Sequence, residues 1–156
     1  MNASFSRRYS FSASHRLHTD ALTPEENHTA FGKCNNPHGH GHNYVVQVTV
    51  AGPIDSETGM VIDMAALDRT VQRTVLDRFD HQNLNHDPLF GVRESGGASN
   101  PVSNPVSTLV STTENLCIEV YRLLGAALEP ARLERIRIEE TENNFFEYTE
   151  MDSHSP

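Results

Sequence analysis

Three histidines fall within five residues in the run Cys34-Asn35-Asn36-Pro37-His38-Gly39-His40-Gly41-His42-Asn43-Tyr44. Histidines two apart on extended chain point the same way, because side chains alternate along a strand, and such a pair can hold one metal ion. The intervening glycines remove side-chain bulk. A third ligand has to come from elsewhere. His15 is the best candidate, because it interrupts an apolar face made by Tyr9, Phe11, Ala13 and Leu17. Three imidazoles with an open fourth position describe a catalytic zinc site. Ligand type alone also admits copper, nickel or iron. The bland alternative is a polar loop that picks up metal adventitiously, and the apolar strand carrying His15 argues against it.

Other residues near these could move protons or hold a ligand. Cys34 lies beside the cluster, where a metal or an imidazolium would lower its pKa and supply a thiolate as nucleophile or base. Cys117, between Leu116 and Ile118, reads as a buried, inert thiol. In Asp80-His81 the carboxylate can fix the histidine tautomer for proton transfer, although a polar helix end explains the pair equally well. Glu140 shares a strand face with Ile136 and Ile138, where a carboxylate is costly unless paired. It could accept two hydrogen bonds from an amidine-like ligand, or simply lie at a strand end in water. Thr112, Thr113 and Glu114 read by spacing as helix-capping residues.

These side chains need a scaffold. The alternation predicts a first strand over 7–17 and a second over about 43–51. Between them Thr23, Pro24 and Glu26 mark the start of a short helix that Gly32 can end. Asp63 caps a second helix carrying Met64, Leu67, Val71 and Val75. A third opens at Ser111 or Thr112, with a Ser111–Glu114 capping box and a stripe of Leu116, Val120, Leu123, Leu124 and Ala127. Two closing strands are expected at 133–141 and 145–149, joined by an Asn143-Asn144 turn. The expected frame is an α+β domain spanning 1–156. It has an antiparallel four-stranded sheet with two main helices on one face, in the order ββααββ. The Gly-, Ser-, Asn- and Pro-rich stretch 91–107 reads as a long loop.

Composition narrows the class. The chain has 156 residues, with 12 Lys+Arg against 21 Asp+Glu, a net charge of −9, and two cysteines. The length suits one domain. The acidic balance argues against nucleic-acid binding. No apolar run approaches the ~20 residues a membrane span requires. The polar N-terminus reads as no secretory signal, so a cytoplasmic protein with free thiols is expected.

Six blocks in register resemble the 6-pyruvoyl-tetrahydropterin synthase family, which includes the 6-carboxy-tetrahydropterin synthases. They are Phe11-Ser12-Ala13-Ser14-His15-Arg16-Leu17, Gly32-Lys33-Cys34-Asn35-Asn36-Pro37, Gly39-His40-Gly41-His42-Asn43-Tyr44, Asp80-His81-Gln82-Asn83-Leu84, Ser111-Thr112-Thr113-Glu114-Asn115 and Glu140-Thr141-Glu142-Asn143-Asn144. The resemblance implies the tunnelling fold, assembled as a homohexamer of two stacked trimers with active sites between subunits. It implies a lyase acting on 7,8-dihydroneopterin triphosphate, which eliminates triphosphate to give 6-pyruvoyl-tetrahydropterin. By the same resemblance His15, His40 and His42 hold Zn2+, Cys34 is the general base, and Asp80 and His81 complete the proton relay. Glu140 anchors the pterin, helped by Thr112, Thr113 and Glu114. The acidic chain must find positive potential for the triphosphate in the metal, in Arg16 and Lys33, or in a neighbouring subunit. Two features depart from the family: the 91–107 stretch is long, and His38 offers a second spacing from Cys34. That spacing matches the carboxy branch, which serves queuosine and deazapurine synthesis from the same substrate. Asn43-Tyr44 favours His40 and His42 as the ligands, leaving His38 beside them or facing solvent. A non-catalytic pterin or zinc binder is the third reading.

Overall fold

The computed structural model describes residues 1–90, 109–128 and 132–150. The loop expected at 91–107 lies outside these residues. Two long strands dominate: β1 (Asn2–His15) and β2 (His40–Pro53), paired antiparallel along their whole length. Between them lie α1 (Pro24–Phe31) and a 3-10 turn, Gly32–Asn35. Then come α2 (Met64–Val71 and its continuation to Phe79), the two-residue β3 (Gln82–Asn83), α3 (Thr113–Gly125), β4 (Arg132–Glu139) and β5 (Phe145–Tyr148). The sheet order is β3-β1-β2-β4-β5.

The α+β architecture is as expected, but the strand and helix counts change. The sheet has five strands and is mixed, because β3 runs parallel to the end of β1 at Ala13 and Ser14. Two residues are too few to show any periodicity, so nothing in the sequence marked this strand. With α1 included, the described residues hold three helices rather than the two of the ββααββ order. The strand ends also move. β2 begins at His40, which places His40 and His42 on the strand, and β4 stops at Glu139, which leaves Glu140 just beyond it.

Local chemistry explains the helices. Thr23 and Glu26 form the expected reciprocal capping box, with Pro24 in the first turn and Gly32 at φ 53° closing the end. Asp63 caps α2 by accepting from Ala65 N. Thr112, not Ser111, caps α3: its hydroxyl accepts from Asn115 N at 3.3 Å. The apolar stripe of α2, Leu67, Val71, Val75 and Phe79, repeats every four residues, and all four side chains are buried. In an α-helix such a stripe drifts by about 40° per step. A π-turn over Gln72–Leu76, followed by a last α-turn over Asp77–Phe79, winds more widely and takes up part of that drift. The stripe stays on the sheet and packs with Leu116, Val120 and Leu124 of α3 against Tyr44, Val46, Val48, Val50, Ile136 and Ile138. The opposite face carries polar pairs such as Arg8–Glu139 and Ser6–Thr49.

After α2 the chain is tied down by Arg78, whose Nε and Nη2 each donate to Asp87 at 2.8 Å. Burial alone would raise the Asp87 pKa, but the Arg78 hydrogen bonds and the Leu89 N–H outweigh it and hold the carboxyl below its ordinary value. A depressed folded pKa stabilises above the unfolded carboxylate pKa of about 3.9 and loses that contribution as pH falls through the folded value. Asp87→Asn is expected to cost about 1–2 kcal/mol at pH 7. Thermal melts of the two proteins should draw together as pH falls through the depressed folded value of Asp87; a gap that is unchanged in acid would count against the assignment.

Candidate active site

The last pair of the β1–β2 ladder is His15 opposite His40, and His42 stands opposite Ala13. Alternation then aims His15, His40 and His42 to the helix-covered face, beside Tyr44. Gly39 permits this meeting. It adopts φ +69°, and a Cβ there would lie 2.8 Å from the His15 carbonyl oxygen. The three imidazoles stand nearly at right angles, with interplanar angles of 64°, 84° and 87°. Their ligand nitrogens all lie within 4.8 Å of one another. His15 Nε2 and His40 Nε2 are 3.1 Å apart. Zn–N bonds of about 2.0–2.1 Å at tetrahedral angles would place nitrogens about 3.4 Å apart, close to the His15–His40 separation.

The protonation chemistry agrees. Burial pushes the His15 pKa down, His40 and His42 push it further, and the Ser111 hydrogen bond restores only part. Burial and His42 likewise lower His40. His15 Nδ1 lies 2.7 Å from the Ser111 carbonyl oxygen. A carbonyl only accepts, so this nitrogen carries the proton and Nε2 presents its lone pair inward. His40 Nδ1 is buried without a hydrogen-bond partner among the described residues. A cluster in which burial disfavours the charged form of His15 and His40 fits a divalent cation better than it fits a set of imidazolium ions.

Glu140 closes one side of the cluster. Its Oε1 accepts a 2.6 Å hydrogen bond from the Thr113 hydroxyl and lies 3.6 Å from His42 Nε2 and 3.9 Å from His15 Nε2. Thr113 is buried in the first turn of α3. Burial and the Glu140 charge both keep Tyr44 a neutral phenol. His38 is exposed and donates its backbone N–H to Asn36 Oδ1; it lines a separate cavity of about 300 Å³ with Arg16, His18 and Asn85.

The other candidates lie apart. Thr112 is occupied with capping, and Glu114 is exposed. Cys34 sits half-buried on the 3-10 turn after α1, its carbonyl accepting from Leu17 N and its thiol close enough to influence Tyr44 electrostatically. Asp80 and His81 form their own unit, with His81 Nδ1 2.9 Å from Asp80 Oδ1. The Ser12 N–H, with His81, holds the Asp80 pKa down against the opposing effect of burial. His81 adopts φ 58°, unusual for a non-glycine residue, and its side chain is 81% exposed. No hydrogen bond or ion pair among the described residues joins this unit to Cys34. Cys117 behaves as expected for a buried thiol, its pKa pushed up to about 12 by burial. Sequence reasoning missed the Ser111 carbonyl and Asn85, because a backbone acceptor and a lone asparagine carry no pattern.

Comparison with known proteins places the chain in a family. The chain matches the family model for 6-pyruvoyl tetrahydropterin synthase over residues 4–151. It is 43% identical to 6-pyruvoyl tetrahydrobiopterin synthase from Homo sapiens, across 94% of this chain and 90% of that one. The solved structure of Caenorhabditis elegans 6-pyruvoyl tetrahydropterin synthase superposes with a TM-score of 0.82 at 39% identity, covering 96% of each chain. An Archaeoglobus fulgidus protein provisionally named 6-carboxy-5,6,7,8-tetrahydropterin synthase is 29% identical over 88% of each chain. With the family model spanning most of the chain and both the sequence relative and the solved structure in agreement, the chain belongs to the 6-pyruvoyl tetrahydropterin synthase family.

Proposed function

We propose that this chain is a zinc-dependent lyase that converts 7,8-dihydroneopterin triphosphate to 6-pyruvoyl-tetrahydropterin with release of triphosphate. The observation that carries this reading is Glu140, fixed by Thr113, beside three clustered histidines. His15, His40 and His42 would hold the zinc, which supplies Lewis-acid polarisation of the substrate's side-chain oxygens. Glu140 receives the amino and ring N–H groups of the pterin in charge-assisted hydrogen bonds, which orients the side chain toward the histidines. Cys34, as thiolate, accepts the proton from the carbon next to a side-chain oxygen. Asp80 holds His81 in one tautomer for the proton's onward transfer.

Among the described residues no hydrogen bond or ion pair joins Cys34 to the Asp80–His81 pair, which favours a site completed between subunits. The sheet leaves room for such assembly: β5 is the last strand, and β3 covers only two residues of β1. Unpaired strand edges are ready templates for another chain. We read the oligomer as a homohexamer, a dimer of trimers. No helix among the described residues is long and apolar enough to cross a membrane.

The test is the product mass after incubation with 7,8-dihydroneopterin triphosphate, with and without a zinc chelator. A product that has lost triphosphate but kept every side-chain carbon, suppressed by chelation and restored by zinc, is expected. A shortened side chain would move the chain to the carboxy branch. Zinc and pterin binding without turnover would make it a binder.

A further inference from the structure

Asn85 has no place in the chemistry above, yet its side chain ties together the two segments that set His15. It stands on the 3-10 turn Leu84–His86, anchored by the fully buried Leu84 and capped by Asn83. Asn85 Oδ1 accepts from Arg16 N at 2.6 Å, and Nδ2 donates to Arg16 O at 2.9 Å. One amide thus pairs with both backbone groups of the residue after His15, as a neighbouring strand would. It does so where β3, which reaches only Ala13 and Ser14, has ended. Nδ2 also donates to Ser111 Oγ at 3.1 Å, and that hydroxyl donates to Arg16 O at 3.3 Å. Ser111 is the residue whose carbonyl accepts from His15 Nδ1.

The link matters because His15 has a second suitor. The Tyr44 hydroxyl lies 3.5 Å from the same Nδ1. If the Ser111 carbonyl drew away, the phenol could donate to Nδ1, and the imidazole proton would move to Nε2. That tautomer has no inward lone pair and cannot ligate. We propose that Asn85 is a positioning residue for the metal: by fastening Arg16 to Ser111 it keeps His15 as the Nδ1–H tautomer with Nε2 free. This rests on reading the three histidines as zinc ligands.

Asn27 supplies the control. It is a buried asparagine, accepting from Thr19 N and donating to the carbonyls of Thr19, Leu22 and Thr23, but it shares no hydrogen bond with His15, His40 or His42. Zinc dissociation constants, by competition with a chromophoric chelator, and apo melting temperatures would be measured for wild type, Asn85→Ala and Asn27→Ala. Nitrogen NMR of the apo proteins would report the His15 tautomer. Asn85→Ala is expected to weaken zinc binding by about 10–100-fold and to populate Nε2–H. Asn27→Ala should lower the melting temperature with zinc affinity within about twofold of wild type. Equal zinc losses in both variants, or an unaltered His15 tautomer in Asn85→Ala, would overturn the proposal. If Asn85→Ala fails to fold, Ser111→Ala removes the same bridge while keeping the carbonyl. It should weaken zinc by about three- to tenfold, and unchanged affinity would be the adverse result. A wild type that binds no zinc overturns the metal reading itself, whereas a normal wild type with a normal Asn85→Ala overturns only the role of Asn85.

Discussion

His15→Ala is expected to weaken zinc binding by a hundred- to a thousandfold and to abolish measurable turnover. The binding energy of a four-ligand zinc site, about 10–16 kcal/mol, divides to about 2.5–4 kcal/mol per ligand, or about two to three decades in affinity. His15 is 1% exposed, so truncation also leaves a void and takes the donor from the Ser111 carbonyl. The variant should therefore be less stable than His40→Ala, which loses a partly exposed ring. His38→Ala is the control: with its side chain exposed and outside the cluster, zinc affinity should stay within about twofold. Zinc content and melting curves of the three proteins check this. A His38→Ala protein that lost zinc while His42→Ala kept it would move the ligand set to the Cys34–His38–His40 spacing of the carboxy branch.

Glu140→Gln should lower kcat/KM by about a hundred- to ten-thousandfold while leaving zinc in place. Two charge-assisted hydrogen bonds to the pterin, at about 1.5–3 kcal/mol each, set that range. An amide keeps the Thr113 contact at Oε1 but presents a donor where the pterin also donates, so the loss is one of pairing rather than of shape. Steady-state kinetics with parallel metal analysis separates the possibilities. Activity within about threefold of wild type would remove Glu140 from the pterin site. Simultaneous loss of zinc would recast it as a metal ligand.

Much of this arrangement was legible in the sequence because it follows from strand alternation. A histidine in phase with Phe11 and Ala13 was placed on the core face, whereas the phase of Glu140 with Ile136 and Ile138 left a strand end in water equally open, and β4 does stop one residue before it. Thr23, Asp63 and Gly32 marked helix ends by their own hydrogen-bonding and steric preferences. The misses have equally local causes. β3 is a strand only because two residues lie beside Ala13 and Ser14, a tertiary fact with no periodic trace. Ser111 and Thr112 are equivalent as caps on paper; the packing that gives the Ser111 carbonyl to His15 leaves Thr112 at the cap. Thr113 looked like capping chemistry, and only the approach of β4 to α3 turns its hydroxyl onto Glu140.

The placement of His15 opposite His40 at the final rung of a 14-residue ladder has a consequence for how the chain reaches its native state. The two strands are separated by residues 16–39, so they must find each other by a non-local search, where misaligned pairings are the natural error. A slip of one residue turns His15 or His40 to the opposite face and scatters the imidazoles. Only the correct alignment assembles all three lone pairs. An ion that binds them stabilises that alignment alone, by mass action. A metal bound there would double as a proofreading device for strand pairing.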